Sequence, residues 1–159
     1  MTDAATGFIA TLDVIRDERL IENAAARGDR LLNSLGALVE RYEMLKNVRG
    51  KGLMMGIEFG SPKSLTLKAA WSLMHTMDKS LFPQAAIIPL LNKHHIVTQV
   101  AGHHIDVIKL LPPLVVSEED VRWFLSAFEE VMVQMHKFPG PAWDVVSDIG
   151  KMVLTNRAR

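Results

Sequence analysis

Apolar residues recur every three or four positions over most of the first 43 residues, which is the spacing of one face of an α-helix. The polar stretch RDER interrupts this spacing once, so the pattern predicts two consecutive helices, over residues 4–16 and 18–43. Gly28 and Gly36 lie inside the second helix, where a glycine costs roughly 1 kcal/mol relative to alanine. We therefore expect both glycines to pack closely against a neighbouring element.

The stretch NVRGKGLMMGIEFG has a different period. Large apolar residues occupy every second position from Leu53 to Phe59, as in a strand with one buried face. A dinucleotide phosphate loop needs G-x-G-x-x-G between a strand and a helix. Gly50, Gly52 and Gly56 instead give G-x-G-x-x-x-G, and the third glycine falls within the strand. The motif RGKG is therefore interpreted as the tight turn of a β-hairpin, in which glycine supplies a positive φ.

Two helices are predicted next, from the stretches SLTLKAAWSLMHTMDKSLF and PQAAIIPLLNKHH. Ser64 is a plausible N-cap for the first, and Pro89 should kink or break the second. The β-branched stretches IVTQVAG and IDVIKLLPPLVV then predict two strands joined by a hairpin at residues 101–106. The double proline at 112–113 should end the second strand, because proline cannot donate to a ladder.

The last predicted helix has the clearest start. Ser117 stands at the N-cap position, Asp120 at the third helical position, and acids fill the first turn. Residues 138–159 follow as a tail or a short extra helix. The predicted fold class is α+β, with a small antiparallel sheet covered by helices.

Composition excludes several classes of function. The 159 residues suffice for one compact domain, and 18 basic residues balance 18 acidic ones. This balance supplies no basic field for nucleic-acid binding. Without cysteine there is no disulfide or thiolate metal site. The first residues lack the features of a secretory signal, and no apolar stretch approaches a membrane span, so we expect a cytoplasmic protein with no nucleic-acid or membrane partner.

The histidines do not form a convincing metal or catalytic site. Neighbouring residues of a strand point to opposite faces, so the pairs at 94–95 and 103–104 could each offer one ligand to a given site. A catalytic zinc site needs three convergent ligands. His75 and His136 are predicted to lie in helices, with no nucleophile at a suggestive spacing. No catalytic, cofactor-binding or metal-ligating residue is therefore assigned from spacing alone.

Three ordered motifs together resemble a known family. These are ATLDVIRDERLIENAAARGDRLLNSL, then VRGKGLMMGIEF, then VIKLLPPLVVSEEDV before an amphipathic helix. They resemble the C-terminal small domain of class III pyridoxal-phosphate aminotransferases, the group of ornithine and acetylornithine aminotransferases. The resemblance runs from about residue 4 to 136 and is weakest across 61–100, where this chain is longer than the common pattern. It implies a small domain at 1–137 of a fold-type I enzyme.

The resemblance also implies what this chain lacks. In the family, a preceding large domain carries the Schiff-base lysine, the aspartate facing the pyridine nitrogen and most of the phosphate site. We expect the chain to begin just after that domain, to bind no pyridoxal phosphate by itself, and to be inactive alone. The parent enzyme would be a homodimer that uses pyridoxal phosphate and an amine or amino-acid substrate, with the large domain supplied in cis or in trans.

Lys109 is the one site residue carried over from the resemblance. In many family members an arginine in the strand before the double proline binds the substrate carboxylate, and this position is Lys109 in VIKLLPPL. Lysine offers a point charge without the bidentate fork of arginine. The parent enzyme would then hold a carboxylate more loosely, or act on an amine or aldehyde without one. A lysine in solvent at the end of a strand is the alternative interpretation.

Three functions remain open on the sequence. The first is a small domain or fragment of a transaminase, closing over and shaping the substrate site of the parent. The second is a stand-alone, non-enzymatic interaction module that kept this fold and binds a partner through the face once packed on the large domain. The third is an unrelated ligand-binding enzyme that uses the histidine pairs or Lys109.

Overall fold

The computed structural model describes residues 3–77, 81–137, 139–140 and 143–144. Within these residues lie five helices and four strands. In chain order they are α1 (Asp3–Asp17), α2 (Leu20–Arg41), β1 (Leu45–Lys51), β2 (Met54–Phe59), α3 (Leu65–Met77), α4 (Gln84–His94), β3 (Gln99–Val100), β4 (Val107–Leu110) and α5 (Glu118–Met135). The predicted α+β class and the predicted order of elements are confirmed.

The first two predicted helices are present with nearly the predicted bounds. The helical conformation is interrupted between them at Arg19, whose backbone is left-handed with φ of 51°. α2 then buries Leu31, Leu35 and Leu38 along one stripe, at the spacing that the sequence predicts. α1 is largely exposed and packs against α2.

The motif RGKG forms the predicted hairpin turn. Lys51 pairs with Met54, so Gly52 and Leu53 form a two-residue connection, and Gly52 has the positive φ of 54° that this turn requires. The whole sheet is antiparallel with strand order β1-β2-β4-β3. The hairpin therefore supplies one edge strand, and the short β3 forms the other edge.

The two faces of the sheet differ sharply. Met55, Ile57 and Phe59 of β2 point into the core, as the period of two predicts, and Ile57 is 0% exposed. Ile108 of β4 is 1% exposed on the same face. Helices α2, α4 and α5 supply most of the remaining core, including Leu35, Leu90 and Phe128. The opposite face carries the polar side chains considered below.

The segment 61–100 forms helices α3 and α4. Ser64 precedes α3 as predicted, but its hydroxyl donates to Glu43 Oε1 at 2.5 Å instead of accepting from the helix. Glu43 Oε2 also accepts the backbone N–H groups of Lys63 and Ser64. Of the predicted kink or break at Pro89, the break is wrong, because α4 continues through this residue. Pro89, in the middle of α4, removes one helical hydrogen bond, and the buried residues on either side, Ala86 and Leu90, hold α4 against the core.

The last two strands are shorter than predicted. β3 has only two residues, and β4 ends at Leu110, before the double proline. The chain then forms a loop that α2 supports, since the Asn23 amide donates to the carbonyl oxygens of Leu114 and Val116 at 2.8 and 3.0 Å. The predicted hairpin between the strands is confirmed by the antiparallel pairing of β3 with β4.

The start of α5 is confirmed in detail. The Asp120 N–H donates to Ser117 Oγ at 3.1 Å, and the Ser117 N–H donates to Asp120 Oδ2 at 2.9 Å, which together form a capping box. Beyond α5, Trp143 is buried and its indole N–H donates to Met135 O at 3.0 Å. The predicted tail at 138–159 otherwise lies almost wholly outside the described residues. Among the described helices, none is both long and apolar enough to cross a bilayer.

The two glycines of α2 differ. A Cβ atom on Gly28 would lie 2.3 Å from the carbonyl oxygen of Gly52, so α2 and the hairpin turn meet backbone to backbone. The expected close packing is confirmed at this position. At Gly36 a Cβ atom would meet nothing within 4 Å, so the same expectation is wrong there.

We expect Gly28→Ala and Gly36→Ala to change the stability in opposite directions. Alanine at 28 must push the hairpin away, and such overpacking costs about 1–3 kcal/mol. Alanine at 36 only removes the glycine penalty, a gain of up to about 1 kcal/mol. Urea unfolding of the two variants measures both effects. Equal stabilities would contradict the close approach of α2 and the hairpin.

Candidate functional site

Lys109 lies on the face of the sheet opposite the core. Strand pairing places Arg49 opposite Gly56, Gly56 opposite Lys109, and Lys109 opposite Gln99, so the four residues form one row across the sheet. Directly opposed residues share a face, so their side chains extend together. Gly56 contributes no side chain between the two cations. Lys109 is half-buried, and none of the described residues forms an ion pair with its ammonium group.

Arg49 shares the carboxylate of Glu58 with Lys46. Glu58 accepts from Lys46 Nζ at 2.7 Å through one carboxylate oxygen and from Arg49 through the other. The register irregularity between Leu45 and Asn47 redirects the Lys46 side chain. Hydrogen bonds from Lys46, and then from Arg49, hold the pKa of Glu58 below its ordinary value, because they stabilise the carboxylate.

A polar groove of about 760 Å³ adjoins this ion pair. Its walls include Glu58, Trp71, His75 and Asp106. His75 Nε2 lies 2.9 Å from Asp106 Oδ2, and His75 Nδ1 lies 3.0 Å from the carbonyl oxygen of Trp71. The imidazole also stacks on the Trp71 indole, with 4.2 Å between ring centroids. The groove thus contains a partly buried imidazole–carboxylate pair.

The histidine pairs of the sequence do not converge. His94 lies 3.4 Å from Glu130 between α4 and α5, whereas His95 ends α4 in a left-handed conformation. His103 and His104 lie in the loop between β3 and β4, with their ring centroids 3.8 Å apart. No group of three potential metal ligands occurs among the described residues. His136 Nδ1 lies 2.8 Å from Met132 O, at the C-terminal end of α5.

An apolar groove of about 410 Å³ lies beside the double-proline loop. Leu111, Val115 and Trp123 line it and are 54%, 62% and 49% exposed. Exposed apolar residues also lie on α1, where Phe8 and Ile9 are 66% and 59% exposed. Exposed apolar surface, where it is contiguous, commonly marks an interaction site.

Sequence reasoning missed the His75–Asp106 pair. The two residues are 31 positions apart, one on a helix and one at the start of a strand. No periodicity connects them, so only the tertiary fold brings His75 of α3 to the residue that precedes β4. Part of the row formed by Arg49, Gly56, Lys109 and Gln99 could be predicted from the sequence, because the alternation of β2 places Gly56 on the face opposite the core.

Comparison with known proteins gives consistent matches. A family model described as aminotransferase class-III matches residues 3–132. A mitochondrial alanine–glyoxylate aminotransferase 2 homolog of Arabidopsis thaliana is 30% identical over 83% of this chain and 25% of its own length. An acetylornithine aminotransferase of Oceanobacillus iheyensis is 30% identical over 83% of this chain and 27% of its own length.

Solved structures agree with the sequence matches. An amine transaminase from an uncultivated Pseudomonas species, in its pyridoxal-phosphate-bound form, is similar with a TM-score of 0.58 and 28% identity. The similarity covers 80% of this chain and 26% of that structure. The chain therefore spans about a quarter of the length of the proteins that it matches.

We expect Glu58→Gln to weaken the dependence of stability on pH in the acidic range. The pKa of Glu58 is lower in the folded than in the unfolded chain, so its stabilising effect is present above the unfolded value and is lost as the pH falls through the folded one. Unfolding free energies measured from pH 6 downwards should therefore fall less steeply in the variant. Glu40→Gln, at an exposed position of α2, is the control. An unchanged slope in Glu58→Gln would contradict the pairing with Lys46 and Arg49.

Proposed function

Because the chain belongs to the class-III aminotransferase family, we propose that it forms the C-terminal small domain of a pyridoxal-phosphate transaminase. In the parent enzyme this domain, residues 1–137, closes over the substrate site and shapes its specificity. The observation that carries the proposal is the row on the open face of the sheet, where Lys109 presents an ammonium group without a partner among the described residues. An ammonium group that has no ion-pair partner within its own domain is available to bind a substrate carboxylate.

The surroundings of Lys46, Lys93 and Lys109 do not fit a pyridoxal-phosphate site within this chain. Such a site needs a lysine for the Schiff base, an acidic partner for the pyridine nitrogen and donors for the phosphate. Lys46 and Lys93 are engaged by Glu58 and Glu130. Lys109 lies between Gly56 and Gln99 on a sheet surface. These two strand partners offer neither an acidic side chain nor a helix N-terminus. The cofactor would therefore be held by another part of the parent enzyme.

Lys109 is proposed to face the substrate. Its strand continues directly into the double-proline loop, which Asn23 fixes to α2 through two hydrogen bonds. The ammonium group therefore stands on a supported strand end and not on a mobile loop. A lysine can attract a carboxylate but cannot bind both of its oxygens in the fork geometry of arginine. Substrates with a carboxylate would be held loosely, and amines without one would also be accepted.

The same proposal extends to the location, oligomeric state, substrate and partner of the parent enzyme. We infer a cytoplasmic homodimer that acts on a small amine or amino acid, with the large domain as the direct partner of this chain. The apolar surface of α1 and of the groove beside the double proline suits such a partner, because Phe8, Ile9 and Trp123 are exposed in the described structure.

The same apolar surface supports a second function. A stand-alone interaction module with this fold would use it to bind another protein, without any catalytic role. The reading frame upstream of Met1 separates the two functions. A large-domain coding sequence joined in frame supports the transaminase domain, whereas a stop codon and a separate ribosome-binding site support the module.

Borohydride trapping tests whether the chain has a cofactor site of its own. The chain is incubated with pyridoxal phosphate, reduced, and analysed by intact mass and peptide mapping. We expect no adduct, or slow modification scattered over several lysines, because Lys46, Lys93 and Lys109 lack the required surroundings. A single stoichiometric adduct on one lysine would overturn the proposal that the cofactor is held elsewhere.

Kinetics of the complete enzyme test Lys109. Lys109→Met should raise the KM of carboxylate substrates roughly tenfold to a hundredfold, since hydrogen bonds to charged groups contribute about 1.5–3 kcal/mol. Lys109→Arg should lower the same KM by restoring the fork. Amines without a carboxylate serve as the matched control and should be unaffected. If no kinetic parameter changes in either variant, Lys109 does not contact the substrate.

A further inference from the structure

Both ring nitrogens of His75 face oxygen atoms that can accept a hydrogen bond. Nδ1 lies 3.0 Å from the carbonyl oxygen of Trp71, which can only accept a hydrogen bond. Nε2 lies 2.9 Å from Asp106 Oδ2, and an ionised carboxylate also only accepts. A neutral imidazole has a single N–H group, so it can satisfy one of these contacts but not both.

The stacking on Trp71 favours the same charged state. The two rings are nearly parallel, with an interplanar angle of 22° and centroids 4.2 Å apart. A cation over the face of an indole is attracted by the negative charge of that face. A carbonyl oxygen, a carboxylate and an aromatic face thus contact one imidazole, and all three interact more favourably with the imidazolium.

Asp106 depends on this partner. Its Oδ1 atom is buried and receives no hydrogen bond from the residues that the structure describes. His75 is therefore the described group that balances the carboxylate charge. A partly buried carboxylate that loses its single ionic partner is costly, because its charge stays away from water without compensation.

Asp106 connects the pair to the strand of Lys109. Its backbone oxygen accepts from the Phe59 N–H at 2.8 Å, which ties it to the end of β2. The next residue, Val107, opens β4, and Lys109 follows two residues later. We infer that His75 is a positioning residue: its imidazolium holds Asp106, and through Asp106 it holds the start of the strand that presents Lys109. The consequence for substrate binding rests on the proposed function, whereas the ion pair itself does not.

The ion pair needs an ionised Asp106 and a hydrogen on both ring nitrogens of His75, so it couples the strand start to the charge of these two groups. The other charged or titratable groups that line the groove are Glu43, Lys46, Arg49, Glu58 and His104. Lys46 and Arg49 are bound to Glu58, and Glu43 is bound at the start of α3, so Asp106 is the charged group in direct contact with His75.

Nuclear magnetic resonance of the labelled chain tests the inference without cofactor or substrate. The ring nitrogens of His75 and the backbone amides of Asp106 and Lys109 are followed as the pH is raised. We expect two protonated ring nitrogens while the pair is intact, and then a shift of both amides with the same midpoint as the loss of the His75 proton. In Asp106→Asn the Lys109 amide should no longer follow His75, and in His103→Gln, at an exposed position, the wild-type behaviour should remain.

Two results would overturn the inference. One is a His75 ring with a single N–H group while Asp106 is ionised. The other is a Lys109 amide that does not move as His75 loses its proton. Both are measured on the wild-type chain, so they test the inference even if Asp106→Asn fails to fold. Because neither involves the transaminase reaction, failure of the proposed function would leave this result unchanged.

Discussion

The backbone of α2 meets the hairpin turn at Gly28 and Gly52 with no room for a single methyl group between them. This contact fixes the distance between the longest helix and the edge of the sheet. With the turn held there, the pairing of Lys51 with Met54 determines the register of the whole hairpin. A slip by one residue would exchange the two faces of β2, and the residues that now fill the core, such as Ile57, would face solvent. The close approach thus selects which side chains remain for function.

The alternation of β2 then assigns a separate task to each face of the sheet. The covered face is apolar and joins the core of α2, α4 and α5. The other face carries charges, and Glu58 pairs there with both Lys46 and Arg49. Surface ion pairs of this kind contribute little stability individually. Their effect here is to engage these two cations with a carboxylate, whereas Lys109, on the same row as Arg49, has no ion-pair partner among the described residues.

Local signals in the sequence were sufficient for most of the elements. The period of two in β2, the glycine turn and the capping box at Ser117 each involve residues within a few positions of one another, and all three are confirmed. The failures occur where tertiary packing outweighs a local preference. Pro89 was expected to interrupt α4, but burial of the neighbouring Ala86 and Leu90 keeps the helix continuous. Gly36 was expected to lie against another element, and nothing in its own helix shows that it faces open space.

The candidate site was only partly predictable for the same reason. The resemblance to a known family identified Lys109, and the alternation of the strands gave its face. His75 lies in the segment 61–100, where the resemblance was expected to be weakest. A contact between residues 31 positions apart joins helix α3 to the residue before the strand of Lys109. Two carboxylates contact α3. Glu43 binds at its N-terminal end, and Asp106 contacts His75 in its last turn. The position of α3 thus combines apolar packing of Leu67, Ala70 and Met74 in the core with carboxylate contacts near both of its ends.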